Sequence, residues 1–158
     1  MEALTPWFLL LHVLGAIVAF GPTFAFPIIA AAGGAEPQHG NFALRAIDRV
    51  AKRVVWPLAL FQGLTGLGLI AAVEIDVSAT PWLMLGIAIY IAALAMSYLV
   101  TTPNLRRLIE LTSAPPPPGA SGPPPEVVAR VAASKRNGMI QSVLIVVIVL
   151  LMVVKPAF

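Results

Sequence analysis

Cysteine is absent from the 158 residues. That excludes disulfides, thiolate metal sites and iron–sulfur clusters held by this chain alone. Charge is also scarce. Asp, Glu, Lys and Arg together make up 11% of the sequence, against about 25% in a soluble domain. All seven acidic residues lie outside the long apolar runs, so a carboxylate proton relay inside a bilayer is excluded. No paired-carboxylate site, no nucleophile with an adjacent base and no Gly-rich phosphate loop between strand and helix can be found. There are only two histidines, His12 and His39.

What is abundant is apolar surface, since 59% of the residues are hydrophobic. A water-soluble chain cannot dispose of that much, which makes the bilayer the expected solvent. Four apolar runs stand out, from Trp7 to Ala32, Val54 to Val73, Trp82 to Thr102, and Gly138 to Val154. Each approaches the roughly 20 residues that cross a hydrocarbon core of about 30 Å. The first is long enough to tilt, with kinks expected at Pro22 and Pro27. It lacks the basic leader of a cleavable signal and is expected to remain as a span. The expected architecture is an all-α integral membrane four-helix bundle in one transmembrane domain, residues 1–158.

The net charge of +3 does not point to nucleic acid. Nine of the ten bases fall in two segments, Arg45–Arg53 between the first and second runs and Arg106–Arg136 between the third and fourth. No basic face is left over for a nucleic acid. By the positive-inside rule those segments face the cytoplasm of a plasma (inner) membrane, with both termini outside. Trp7 and Trp82 then mark the outer interface and Trp56 the inner one. Residues Phe42–Val54 carry apolar positions at helical spacing, as a cytoplasmic extension of the second helix or a short surface helix. Residues 112–126 form a Pro-rich run expected to be a cytoplasmic linker. Thr5-Pro6-Trp7 and Thr80-Pro81-Trp82 open the first and third runs, and Lys52-Arg53 and Lys135-Arg136 precede the second and fourth. The chain thus reads as two helical hairpins of the same sense, a parallel repeat.

His12 is the residue to weigh. It lies five residues past Trp7, about 7–8 Å into the membrane at 1.5 Å per residue. A neutral imidazole there is either hydrogen-bonded to a neighbouring helix or an axial ligand for haem, or a ligand for copper. Gly15 nearby would let a flat ring approach. His39 lies in a polar stretch on the other side of the bilayer, so no second intramembrane histidine is available. That leaves a five-coordinate haem, a Met or Tyr as sixth ligand, or a ligand shared across a dimer, and of Met84 and Met96 in the third run Met84, at a depth similar to His12, is the better candidate. Thr23, Gln62, Thr65, Ser97, Tyr98, Gln141 and Ser142 form a second polar set suited to hydrogen bonds across helices.

Pro6-Trp7 followed by Leu11-His12-Val13, Arg49–Arg53 before Trp56-Pro57, the Gly63–Gly68 helix and the ending Ile148–Pro156 resemble the HemJ-type protoporphyrinogen oxidases. The wider group includes copper-resistance D-type membrane domains and bacterial predicted integral membrane proteins of unknown function. The chain looks most like this last kind. The resemblance implies a four-helix bundle with haem b and a first-helix histidine ligand, which His12 matches. The chain departs from it twice. The lysine near the start of the third helix has no counterpart around Leu85–Gly86, and Tyr98 is followed by Leu99 where the resemblance implies histidine. Three functions follow as expectations. The first is an accessory or cofactor-binding subunit of a larger membrane complex, or a homo-oligomer, holding haem b through His12. The second is a protoporphyrinogen oxidase-like enzyme. The third is copper handling through His12 and nearby Met residues.

Overall fold

The computed structural model describes residues 4–114 and 122–157, and among them it is helical, with no strand. Residues 115–121 of the Pro-rich run lie outside the described residues. Helix α1 covers Thr5–Ala35 and runs without a break through Pro22 and Pro27. It ends at Glu36, whose extended backbone (φ −120°, ψ 85°) is the conformation imposed on a residue before proline. Pro37 then opens α2, Pro37–Val50. Thr80 repeats the device, with φ −124° and ψ 82° before Pro81 at the start of α4, Pro81–Met96.

Two further prolines are absorbed without ending a helix. Helix α2 passes through a π-helical turn, Ala51–Val55, directly into α3, Trp56–Val73. Helix α4 passes through a second, Ser97–Thr101, into α5, Thr102–Leu111. Each turn lies just before a proline, Pro57 or Pro103. A proline donates no N–H and its ring crowds the carbonyl four residues back. Widening the spiral to i→i+5 bonding relieves that crowding. Trp56 N–H accordingly donates to Ala51 O, and Thr102 N–H to Ser97 O. The Phe42–Val54 stretch is therefore a helix extension, part of one 36-residue helix over Gln38–Val73. Helix α6 covers Pro125–Val154. Four helices are thus long and apolar enough to cross a membrane: Thr5–Ala35, Gln38–Val73, Pro81–Leu111 and Pro125–Val154.

The helices pack as two antiparallel hairpins. Helix α1 lies along α2 and α3, and α6 lies along α4 and α5. Between the hairpins, backbones meet only where α1 approaches α6 and α2 approaches α5. Small residues let the helices close in. At the α1–α2 crossing, a Cβ on Gly33 would stand 2.5 Å from the Cβ of Ala43. Gly68 accommodates the Phe8 ring, and Gly86 accommodates the end of Met152. Outward faces are apolar, with Trp7, Ile28, Leu64 and Val153 each more than 60% exposed. This is the surface that meets lipid.

At the basic end, α2 and α5 pack as amphipathic helices. Leu108 of α5, at 2% exposure, is the most deeply buried large side chain. Asn41 Nδ2 donates to Ile109 O (2.8 Å) and to Thr112 Oγ1 (2.9 Å), tying the hairpins together. Glu126 accepts from Arg130 (3.0 Å) and Arg107 (3.2 Å), which fastens the start of α6 to α5. At the opposite end, Asp76 Oδ1 caps the α3–α4 turn, accepting from Ser78 N–H (2.9 Å), Ser78 Oγ (2.6 Å) and Ala79 N–H (3.3 Å).

Two predictions follow from this packing. Gly33→Ala should lower stability by about 1–3 kcal/mol through overpacking against Ala43. Gly34→Ala, which meets nothing within 4 Å, should be neutral or stabilising by up to about 1 kcal/mol. Melting of both variants in one detergent checks the pair. The second concerns Glu126, whose carboxyl is held below the usual glutamate range by its bonds to Arg130 and then Arg107. A depressed carboxyl stabilises above its unfolded pKa, and that contribution is lost as pH falls through the folded value. An NMR titration of Glu126 should give a midpoint below that of free glutamate, and Arg130→Gln should move it up.

Candidate functional site

The site is a polar seam along the inner face of α3, which carries Ala59, Gln62, Gly63, Thr65 and Gly66 at helical spacing. Gln62 and Thr65 are buried, at 7% and 3% exposure. His12 and Gly15 of α1 and Tyr90 of α4 meet it.

From α1 comes His12. Its Nδ1 lies 3.0 Å from Thr65 Oγ1, and its ring rests on Gly66, where a Cβ would come within 3.2 Å of Cε1. Thr65 Oγ1 also stands 3.1 Å from Gln62 O and 3.2 Å from Phe61 O. With the single hydroxyl proton donated to its own helix, its lone pairs face the imidazole. Nδ1 then donates and Nε2 carries the free lone pair, a tautomer assigned from the hydrogen-bond network. Among the described residues no side chain bonds Nε2. The ring itself is half-buried.

The room that Gly15 leaves is taken up within the chain. A Cβ there would stand 2.7 Å from Gln62 Oε1 and 3.7 Å from Phe61 Cδ1. Gln62 Oε1 is buried and accepts no hydrogen bond from the described residues. In the second hairpin, Gln141 of α6 occupies a comparable place. Its Nε2 donates to Ala93 O (3.3 Å) on α4, and its Oε1 is likewise buried without a partner. Each hairpin thus turns one glutamine of its second long helix onto a small residue of its first.

From α4 comes Tyr90, whose hydroxyl donates to Ala59 O at 2.7 Å and lies against Gly63. The backbones of α3 and α4 do not approach within 8 Å, so this long side chain bridges the two hairpins inside the membrane. Met84, also on α4, is half exposed. Helices α1 and α4 are not neighbours, with no Cα pair within 8 Å. The structure therefore brings His12 together with Thr65, Gly66 and the Gly15–Gln62 pair, while Met84 sits on a helix whose backbone does not adjoin α1.

Of the polar set read from the sequence, Thr65 proves to be the partner of His12, while Tyr98 packs edge-on against Trp56, ring centroids 5.8 Å apart. Tyr90 was not among the expected site residues. The signal was present, since it is the one phenol deep within the third apolar run, where a hydroxyl needs a partner. Removing the Thr65 hydroxyl should test the seam. Thr65→Val should cost about 0.6–1.7 kcal/mol, the range for hydrogen bonds between membrane helices, with Thr65→Ser restoring most of it. Thermal unfolding in detergent is the measurement.

Comparison with known proteins gives one result. No curated protein and no solved structure matches the chain. The family described as "Predicted integral membrane protein (DUF2269)" matches over residues 7–156. That range takes in the four long helices, the His12–Thr65 contact and the basic end. The chain belongs to this family of integral membrane proteins.

Proposed function

We propose that this protein is a small membrane subunit that offers the His12 imidazole as an axial ligand to haem b, within a larger complex or a homo-oligomer. The reading rests on one contact: Thr65 holds the ring at Nδ1, and in the tautomer in which Nδ1 donates, Nε2 carries the free lone pair. An imidazole bonded at one nitrogen and open at the other is how proteins hold histidine ligands to metals. The donor set fits one histidine ligand, His12. Beside the ring, the space at Gly66 is filled by His12 itself and the space at Gly15 by Gln62. Met84, half exposed on α4, stays the candidate for the other side of the group, from the same chain or from a second one. The partly open ring of His12 favours a second chain closing the site. Bound there, haem would supply one-electron redox chemistry. The protein's part is to fix the ring orientation through Thr65 and to keep one face of it dry between α1 and α3.

The basic end faces the cytoplasm of the plasma membrane in this reading. Its support is the placement of nine of the ten bases at one end. The resemblance to HemJ-type proteins supports haem over other ligands, while the missing lysine and histidine argue for binding without porphyrinogen oxidation.

The test is the visible spectrum of protein purified in mild detergent after expression with ample haem, oxidised and then dithionite-reduced. The native chain should show a Soret band with reduced α and β bands, and His12→Ala should lose them. A colourless native protein, or a spectrum unchanged in His12→Ala, would end the proposal. Turnover of protoporphyrinogen by the haem-replete protein would make it an oxidase instead. Copper bound in place of haem, and lost in His12→Ala, would make it a copper site.

A further inference from the structure

A second site lies at the other end of the membrane segment, far along the chain from His12. Helix α5, the π-helical turn before it and the first half of α6 border a shallow, open cleft of about 480 Å³. Its composition changes with depth. The wall toward the membrane is apolar, formed by Leu99 and Val100 of the π-turn together with Pro103. Leu99 and Val100 are 67% and 46% exposed, apolar surface that a hydrocarbon chain could cover. The rim toward water carries three guanidinium groups, Arg107, Arg130 and Arg136.

Between wall and rim stand two asparagines. Asn104 is already engaged, its Nδ2 donating to Ser134 Oγ (2.8 Å) and Arg130 O (3.1 Å), and its Oδ1 accepting from Arg130 Nη1 (3.3 Å). Asn137 is not engaged. It is 3% exposed, it lines the cleft, and among the described residues nothing hydrogen-bonds its side-chain amide. The amide atoms are not sealed off, so water or a ligand in the cleft can meet them.

The charges are also unequally committed. Arg107 pairs with Glu110 and Glu126, and Arg130 pairs with Glu126. Arg136 is exposed and makes no ion pair among the described residues. Three guanidinium groups against two carboxylates leave one positive charge uncompensated at the rim, one residue before the unpartnered amide.

We propose that this cleft binds the phosphate headgroup of an anionic phospholipid. Arg136 pairs with the phosphate, the Asn137 amide donates to it or to the glycerol oxygens, and one acyl chain lies over Leu99 and Val100. The chemistry required is a phosphate joined to a hydrocarbon chain. The rim recognises the first and the wall the second. Basic pockets between membrane helices are suited to such headgroups. The π-turn contributes by presenting Leu99 and Val100 beside the cleft.

The test uses the full chain, delipidated in a nonionic detergent, with native mass spectrometry and melting as readouts. Phosphatidylglycerol should bind saturably and raise the melting temperature, and phosphatidylcholine should do so far less. Arg136→Gln should weaken phosphatidylglycerol about five-fold, the effect of one base near an anionic headgroup. Asn137→Ala should weaken it as well. Arg136 is exposed and unpaired, so its variant keeps the test valid even if Asn137→Ala fails to fold. Arg45→Gln, at the same end but outside the cleft, should leave binding unchanged. An equal loss in Arg45→Gln would reduce the effect to general charge and overturn the site. Equal binding of phosphatidylcholine would overturn it too. Protection by inorganic phosphate as strong as that by phosphatidylglycerol would reassign the cleft to a soluble phosphate and overturn the lipid.

Discussion

The rest of this structure depends on the loss of water as a partner. In hydrocarbon, apolar side chains gain nothing by turning inward, while every polar group must find its partner within the protein. Both consequences are visible in the burial pattern. In the first hairpin the buried positions of the spans go to small or polar residues, Gly15, Ala19, Ala59, Gln62 and Thr65, and in the second Gly86 and Ala93 are buried together with Leu83, Ile145 and Leu151. Leu108, the most buried large side chain, belongs to α5 at the basic end, where water is the solvent again and burial is rewarded.

Two kinds of contact therefore hold the bundle. Within each hairpin the backbones approach closely over glycine and alanine. Between hairpins the contacts are fewer and more specific: Tyr90 on Ala59, Asn41 on Ile109 and Thr112, and Trp56 against Tyr98. An interface made of a few directed contacts can shift as a unit more readily than a packed core. The His12–Thr65 contact lies inside one hairpin, so its geometry does not depend on how the two hairpins meet.

The helix boundaries show how closely local chemistry controls the path. Four prolines act in two ways according to what precedes them. Pro37 and Pro81 follow residues that have left the helical region, and the chain turns there. Pro57 and Pro103 follow π-helical turns that take up the missing hydrogen bond, and the helix continues. The second pair lets the two middle spans reach well beyond the hydrocarbon core, and so builds the helices that carry the basic residues.

The sequence by itself determined the all-α class, the four spans and the gathering of bases in two segments. Each of these follows from hydropathy summed over some twenty residues or from charge counted by segment, and such sums tolerate ignorance of any single contact. His12 was legible as an exception for the same reason, because an imidazole in an apolar run is costly. Only the tertiary structure decided that Thr65 is its partner, that Gln62 fills the space at Gly15 and that Tyr90 spans the gap between hairpins. Those outcomes depend on the rotation of each helix about its axis. The apolar runs are hydrophobic all round, so their periodicity carries no record of which face turns inward. That choice is made when glycine meets side chain and donor meets acceptor across the helices.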